Sequence, residues 1–347
     1  MSICPIEKLI QFDLLDDCIH TPAGYYHFYR YYPPNTDIMT EEEKKAEIEQ
    51  MTQLFDTLAR EIAIFATDKI EDMSEIKRFY KNLAPEYDHL TSDIIAAIES
   101  TESRNSAAVQ RAFYFIIRTD KQEESVYNQI AGKGYHINKA QREELAVLLR
   151  NYYLREFISA EIYTLEKELK QDVKLRKKIE KKPELFQKEL QRRLLPHSME
   201  FFPSFAVQNG TYRSTMMLKN FPFEIGSCCL LQTACMRGTS FMMRLTPMNG
   251  REIKKLTEKQ MNKSSYKRSS TQATDQLEGL SEQTALAEFY QAVSNSQTTL
   301  FFVSVYIECY GRNEEDLQST IRAVEEKLIT ANISAERLIR QQREGFH

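Results

Sequence analysis

The chain has 347 residues and a formal charge of −4, with 42% hydrophobic and 11% aromatic residues. That length suits two or three domains, and the composition excludes a disordered polar chain. A pI of about 6.0 argues against a dedicated polyanion binder, and with a mean hydropathy of −0.51 no apolar run approaches a transmembrane helix.

In chain order, the N-terminal "MSICPIEKLIQFDLLDDC" has acids where a signal peptide carries Lys or Arg, so a cytosolic chain is expected. Residues 18–32 read as a turn at Pro22 and Gly24 followed by an aromatic strand. Thr40 before Glu41, Glu42 and Glu43 is an N-cap with acids in the first turn. Ile48, Met51, Leu54, Phe55 and Leu58 then keep helical spacing. "EIAIFATDKI" (61–70) reads as a short buried strand, 73–108 as two helical stretches, and "RAFYFIIRTD" (111–120) as a clear strand. "AGKGYH" (131–136) lacks the spacing of a phosphate loop and reads as a turn between helices. A long helix from about 139 to 157 closes this half.

Residues 158–193 change character. Ile158, Ile162, Leu165, Leu169 and Val173 repeat at helical spacing, and a stretch dense in Lys and Arg follows, interrupted by Pro183. A solvated arm or helical hairpin is one reading. The other is a surface for acidic lipid or nucleic acid, made by Lys174, Arg176, Lys177, Lys178, Lys181, Lys182, Arg192 and Arg193.

The second half starts with a hairpin whose tight turn is Asn209-Gly210. An apolar helix ("GSCCLLQTACM"), a strand ("SFMMRLTPMNG") ended by Pro247 and an Asn249-Gly250 turn, and a helix ("REIKKLTEKQM") come next. "SSYKRSSTQATDQ" reads as a polar loop or a flexible part of the helical layer, and "ALAEFYQAVSNSQ" as a helix. Residues 298–311 are β-branched and aromatic, hence a strand, and Asn313 with Glu314, Glu315 and Asp316 opens the last long helix. Both halves follow one plan, so the expected fold is α+β. It comprises two ferredoxin-like sandwich halves, 1–157 and 196–347, joined by a charged helical insert, 158–195.

Catalytic patterns are sparse. There is no G-x-x-x-x-G-K-[ST] loop, dinucleotide fingerprint, G-x-S-x-G elbow or C-x-x-C pair. The vicinal Cys228-Cys229 reads as small apolar filler on a buried helix. His20 and His27 lie near Asp16 and Asp17, which admits a metal or acid–base site, with a surface pair as the simpler reading. Phe241, Met243 and Leu245 alternate with Met242 and Arg244, an apolar face on a scaffold strand. Arg237 and Arg244 could receive a carboxylate or phosphate.

The order of "QRRLLP" (191–196), "YRSTMMLKNFP" (212–222), "MRLTPMNGREIKKL" (243–256), "LFFVSVYIECYGRNEEDLQSTIRAVEEKL" (300–328) and "LIRQQREGF" (338–346) resembles the N-terminal half of conjugation and type IV secretion motor ATPases. These are the VirB-four class, close to the TraE/TrsE-like proteins, and the likeness is stronger over 100–347 than over 1–99. The resemblance implies a region that docks on inner-membrane channel subunits at the cytoplasmic face of the bacterial cell membrane. It implies a C-terminal motor binding ATP and Mg, a hexamer when full-length, and no cofactor or catalytic residue within these residues. Two alternatives stay open: a nucleic-acid- or membrane-surface-binding module working through the basic arm, and a stand-alone enzyme around Asp16, Asp17 and His20.

Overall fold

A computed structural model describes residues 10–35, 38–70, 88–103, 109–122, 126–155, 173–182, 184–219, 229–269, 279–284 and 299–342, with 77, 80, 81, 221, 276, 286–288 and 291. The first half runs β1 (Asp13–Leu14), β2 (Ile19–Thr21), β3 (Gly24–Tyr31), α1 (Glu41–Leu58), β4 (Ile62–Ile70), α2 (Asp88–Ser103) and β5 (Val109–Thr119). It closes with α3 (Tyr127–Ala131), β6 (Ile137–Lys139) and α4 (Arg142–Leu154). Helices α5 (Val173–Lys181) and α6 (Glu184–Leu194) lead to β7 (Met199–Phe201), β8 (Ala206–Gln208) and β9 (Thr211–Lys219). Then follow α7 (Cys229–Ala234), β10 (Thr239–Pro247), α8 (Gly250–Arg268), β11 (Phe301–Gly311), α9 (Glu314–Thr330) and β12 (Ser334–Arg337).

Among the described residues one antiparallel sheet carries every strand, in the order β1-β2-β3-β5-β4-β10-β11-β9-β8-β7, with β6 on the edge of β3 and β12 on the edge of β9. The order is palindromic: β3, β4, β5 and β6 of the first half stand where β9, β10, β11 and β12 stand in the second. The halves meet where β4 pairs with β10, Ala66 opposite Phe241 and Ile62 opposite Leu245. The fold is α+β.

Local chemistry explains the turns and caps. Gly24 closes the β2–β3 turn at φ 139°, where a Cβ would meet the Thr119 carbonyl at 2.9 Å. Asn209 and Gly210 take φ 47° and 80°, as a tight hairpin requires. Thr40 and Glu43 form a reciprocal capping box, and the Asn313 side chain accepts from the Asp316 N–H.

Strand alternation separates the cores. On one face Phe28, Phe65 and Tyr114 pack under α4 and α6 through Leu145, Leu148, Leu190 and Leu194. On the other, Tyr29, Ile62, Phe115 and Ile117 meet α1 and α3. Continuing across that second face, Ala66, Phe241, Val305 and Ile307 meet α7 and α9 through Ala234, Leu317, Ile321 and Val324. Phe241 and Leu245 are buried and Arg244 is exposed, as the alternation in β10 requires.

Several expectations need correction. Asn249 is not half of a strand-ending turn but the N-cap of α8: its side chain accepts from the Glu252 N–H, and its own N–H donates to the Glu252 carboxylate. The same helix runs on through Arg268, so "SSYKR" is helical, its Ser264 hydroxyl turned back onto the Gln260 carbonyl. "AGKGYH" leads from α3 not to a helix but to β6, a three-residue strand that β3 recruits. The basic insert is not wholly solvated either. Leu190, Leu194 and Leu195 are buried with Phe12 and Leu14, and Gln187 donates to the Leu14 carbonyl at 2.9 Å. The apolar repeat from Ile158 to Leu169, Cys228, and most of "ALAEFYQAVSNSQ" lie outside the described residues.

Candidate functional site: a groove, a basic helix and a buried ion network

The basic residues divide into two groups. Lys174, Arg176, Lys177, Lys178 and Lys181 of α5, with Lys182 after it, are exposed. Arg192 and Arg193 sit at the far end of α6, a helix roughly 16 Å long. Arg176 pairs with Glu180 at 3.0 Å, and Arg193, half-buried, with Glu189 at 3.4 Å. The α5 cations are therefore an exposed basic cluster, while Arg192 and Arg193 belong to a second helix, one of them already paired within it.

A groove of about 570 Å³ lies between α4 and the sheet. Phe12, Ile19, Tyr26, Phe28, Ile116 and Met242 contribute to its largely apolar lining. Arg244, read as a receiver for a carboxylate, finds one inside the chain: Glu61 at 2.5 Å, with Arg118 at 3.8 Å from the same carboxylate. That pair marks the polar end of an otherwise greasy channel. An open apolar trough with a few oriented charges suits an apolar or amphipathic segment better than a small polar substrate.

The histidines separate. His20 is half-buried, 3.5 Å from Asp13 and 4.5 Å from the Tyr25 ring. His27 is buried beside Cys18 and the half-buried Asp17, their donor atoms within 4.8 Å of one another. The acid–base group expected around Asp16, Asp17 and His20 is thus taken apart, because the turn at Pro22 sends His20 and His27 onto different strands. Asp16 reaches outward to Arg142 at 3.5 Å. Asp17 holds the Lys139 ammonium, and Thr119 Oγ1 lies 3.2 Å from His27 Nε2. Burial, then the Asp17 charge, pushes the Cys18 thiol up to about 11. A thiol held protonated is a poor nucleophile and a poor ligand. With a cation already on Asp17, the donor set fits a hydrogen-bonded clasp.

Sequence reading missed the charged groups at the junction of the halves. Asp68 on β4 bonds Arg111 at 2.8 Å, Arg155 at 3.3 Å and the Gly238 N–H at 2.9 Å. Arg155, beyond α4, lays its guanidinium 3.5 Å from the Tyr310 ring centroid. On the other side Arg213 is 4.9 Å from that ring and donates to Glu308 at 2.7 Å and to Gln208. The Tyr310 hydroxyl donates to Glu308 at 2.6 Å and lies 2.9 Å from Ser240 Oγ, which is 2.9 Å from Thr67 Oγ1. Burial is the strongest single influence on Arg213 and works against its charge, but Glu308, Tyr310 and Tyr152 together more than offset it and raise the pKa. Burial likewise pushes the Tyr310 phenol upward. These groups rivet α4 and both half-sheets together. The only sequence signal for them is charge at the ends of otherwise apolar strands.

No family model matches the chain, and no curated protein matches it. Among the described residues, no helix is long and apolar enough to cross a membrane.

Proposed function

We propose that this chain is the docking and assembly N-terminal region of a type IV secretion motor ATPase, with no catalysis of its own. It would receive an apolar segment of an inner-membrane channel subunit at the cytoplasmic face of the bacterial membrane. ATP and Mg would be handled by a C-terminal motor that forms the hexamer. The observation that carries this reading is an open apolar groove whose Phe12, Ile19 and Phe28 belong to the same apolar cluster against which Leu175 of the cationic α5 packs, a combination suited to a protein segment emerging from an acidic membrane surface. We also infer that each half is a ferredoxin-like sandwich. The strand order β6-β3-β5-β4, repeated as β12-β9-β11-β10, supports that inference, with α2 and α8 placed where that fold has a plain hairpin.

The test is co-purification with inner-membrane channel subunits of a type IV secretion system, wild type against Leu149→Glu, which puts a carboxylate into the groove wall. Loss of the complex in the variant is expected, with the circular dichroism spectrum unchanged. Equal recovery of channel subunits with both chains would remove the groove from the proposal, and recovery with neither would remove the function. Sedimentation with vesicles addresses α5 separately. Anionic vesicles should retain more protein than neutral ones, by a margin that disappears in Lys174→Glu/Lys177→Glu/Lys178→Glu. Equal retention by the two vesicle types sinks that part.

A further inference from the structure

Two helices stand apart from the layered core. No side chain of α2 or α8 enters any of the three apolar clusters, whereas the other helices of the sheet layers do, among the described residues. Each follows the inner strand of its half, α2 after β4 and α8 after β10. Because β4 and β10 are antiparallel, the two leave opposite ends of the sheet, with roots roughly 30 Å apart along the strands.

Their charges are opposite. Helix α8 carries seven Lys or Arg against two Glu, a net of +5. Helix α2 carries four acids, Asp88, Asp93, Glu99 and Glu102, and no Lys or Arg, a net of −4. The inner side of α8 is already satisfied. Thr257 and Ser264 are buried there, Ser264 Oγ donates to Glu282 at 2.9 Å and Lys267 pairs with Glu282 at 2.5 Å. The outer side presents Arg251, Lys255, Lys259 and Lys263 at four-residue intervals, all exposed, with Tyr266 79% exposed near the tip. On α2 the exposed side presents Asp93 and Glu99 with the small residues Ser92, Ala96 and Ser100 between them, so another helix can approach closely. At 19 and 16 residues the two helices are about 28 and 24 Å long, a match in length for side-by-side contact.

We propose that the basic face of α8 docks on the acidic face of α2 in a second copy of this chain. The contact is head-to-tail, since the two arms leave opposite ends, and it joins successive copies in a row or a closed ring. A nucleic acid is the poorer occupant, because the chain is acidic overall, with a formal charge of −4. A contact of one helix pair is small and charge-driven, so the association is weak and sensitive to salt. The inference is independent of the docking function, because it needs only this chain.

Sedimentation velocity on the purified chain tests it. At about 50 mM salt the wild type should associate with concentration, and at about 500 mM it should not. Reversing one arm, Lys255→Glu/Lys259→Glu/Lys263→Glu, should weaken association at least tenfold, and so should Asp93→Lys/Glu99→Lys on the other. A mixture of the two variants, or one chain carrying both sets, should associate again, because the swapped charges once more attract. All these positions are exposed and outside the cores, and circular dichroism checks that each variant is folded. A wild type that stays monomeric at low salt, or a charge swap that does not restore association, overturns the proposal. Tight binding of a 20-base-pair duplex lost in the α8 variant, without self-association of the wild type, would assign the basic face to nucleic acid instead.

Discussion

Replacing Asp68 by Ala tests whether the ion network holds the two half-sheets together. The carboxylate is 3% exposed and takes bonds from Arg111, Arg155 and the Gly238 N–H. Its removal takes from two buried guanidiniums the carboxylate that they share, at a cost of about 3–5 kcal/mol. Asp68→Asn keeps the shape and one acceptor and should cost about 2 kcal/mol, the part owed to charge. Because the chain contains no Trp, urea unfolding is best followed by circular dichroism. With an m-value of about 3 kcal/mol/M, the midpoint for Asp68→Ala should fall by about 1 M or more. The transition should also broaden or split, since Asp68 on β4 joins the first half to the loop before β10. Adding Arg111→Met should recover part of the loss, because it removes one of the stranded charges. A loss below about 1 kcal/mol would refute the reasoning. So would a double variant in which the two losses simply add.

Two further outcomes follow from single residues. Gly210→Ala should destabilise by about 1 kcal/mol in the same unfolding assay, purely through backbone strain at φ 80°, since a Cβ there meets no atom within 4 Å. Cys18 binds its proton more tightly in the folded chain, from 9.0 to about 11, so its contribution to stability is full below pH 9 and lost as pH rises toward 11. Stability measured from pH 8 to 11 should therefore fall less steeply in Cys18→Ala than in the wild type. At pH 8 a thiol reagent should modify exposed Cys235 well before Cys18 or Cys309, and equal rates would contradict the buried, protonated state.

The legible parts of the fold were those in which a short stretch is sufficient cause. Thr40 and Asn313 cap their helices with groups three residues away, and Asn209-Gly210 bends the chain by itself. Strands β5 and β11 carry enough β-branched and aromatic residues to announce themselves. Strands β6 and β12 could not be read. At three and four residues they carry too little pattern, and they exist because the edges of β3 and β9 offer unpaired backbone groups. The same limit separated His20 from His27 and hid the burial of Leu190 and Leu194, whose partners Phe12 and Leu14 lie far back in the chain.

The sequence by itself determined where most helices and long strands fall, which strand faces are apolar, and that the two halves repeat one plan. These follow from periodicity and capping, which act within a few residues. Only the tertiary structure decided that the halves share one sheet, through β4 and β10, and that Asp68, Arg111, Arg155, Arg213 and Glu308 gather at that junction. The physical reason is range. A buried charge needs a counter-charge within hydrogen-bond reach, but it is indifferent to how far along the chain that partner lies. The partners of Asp68 stand 43, 87 and 170 residues away, and no local pattern encodes such distances.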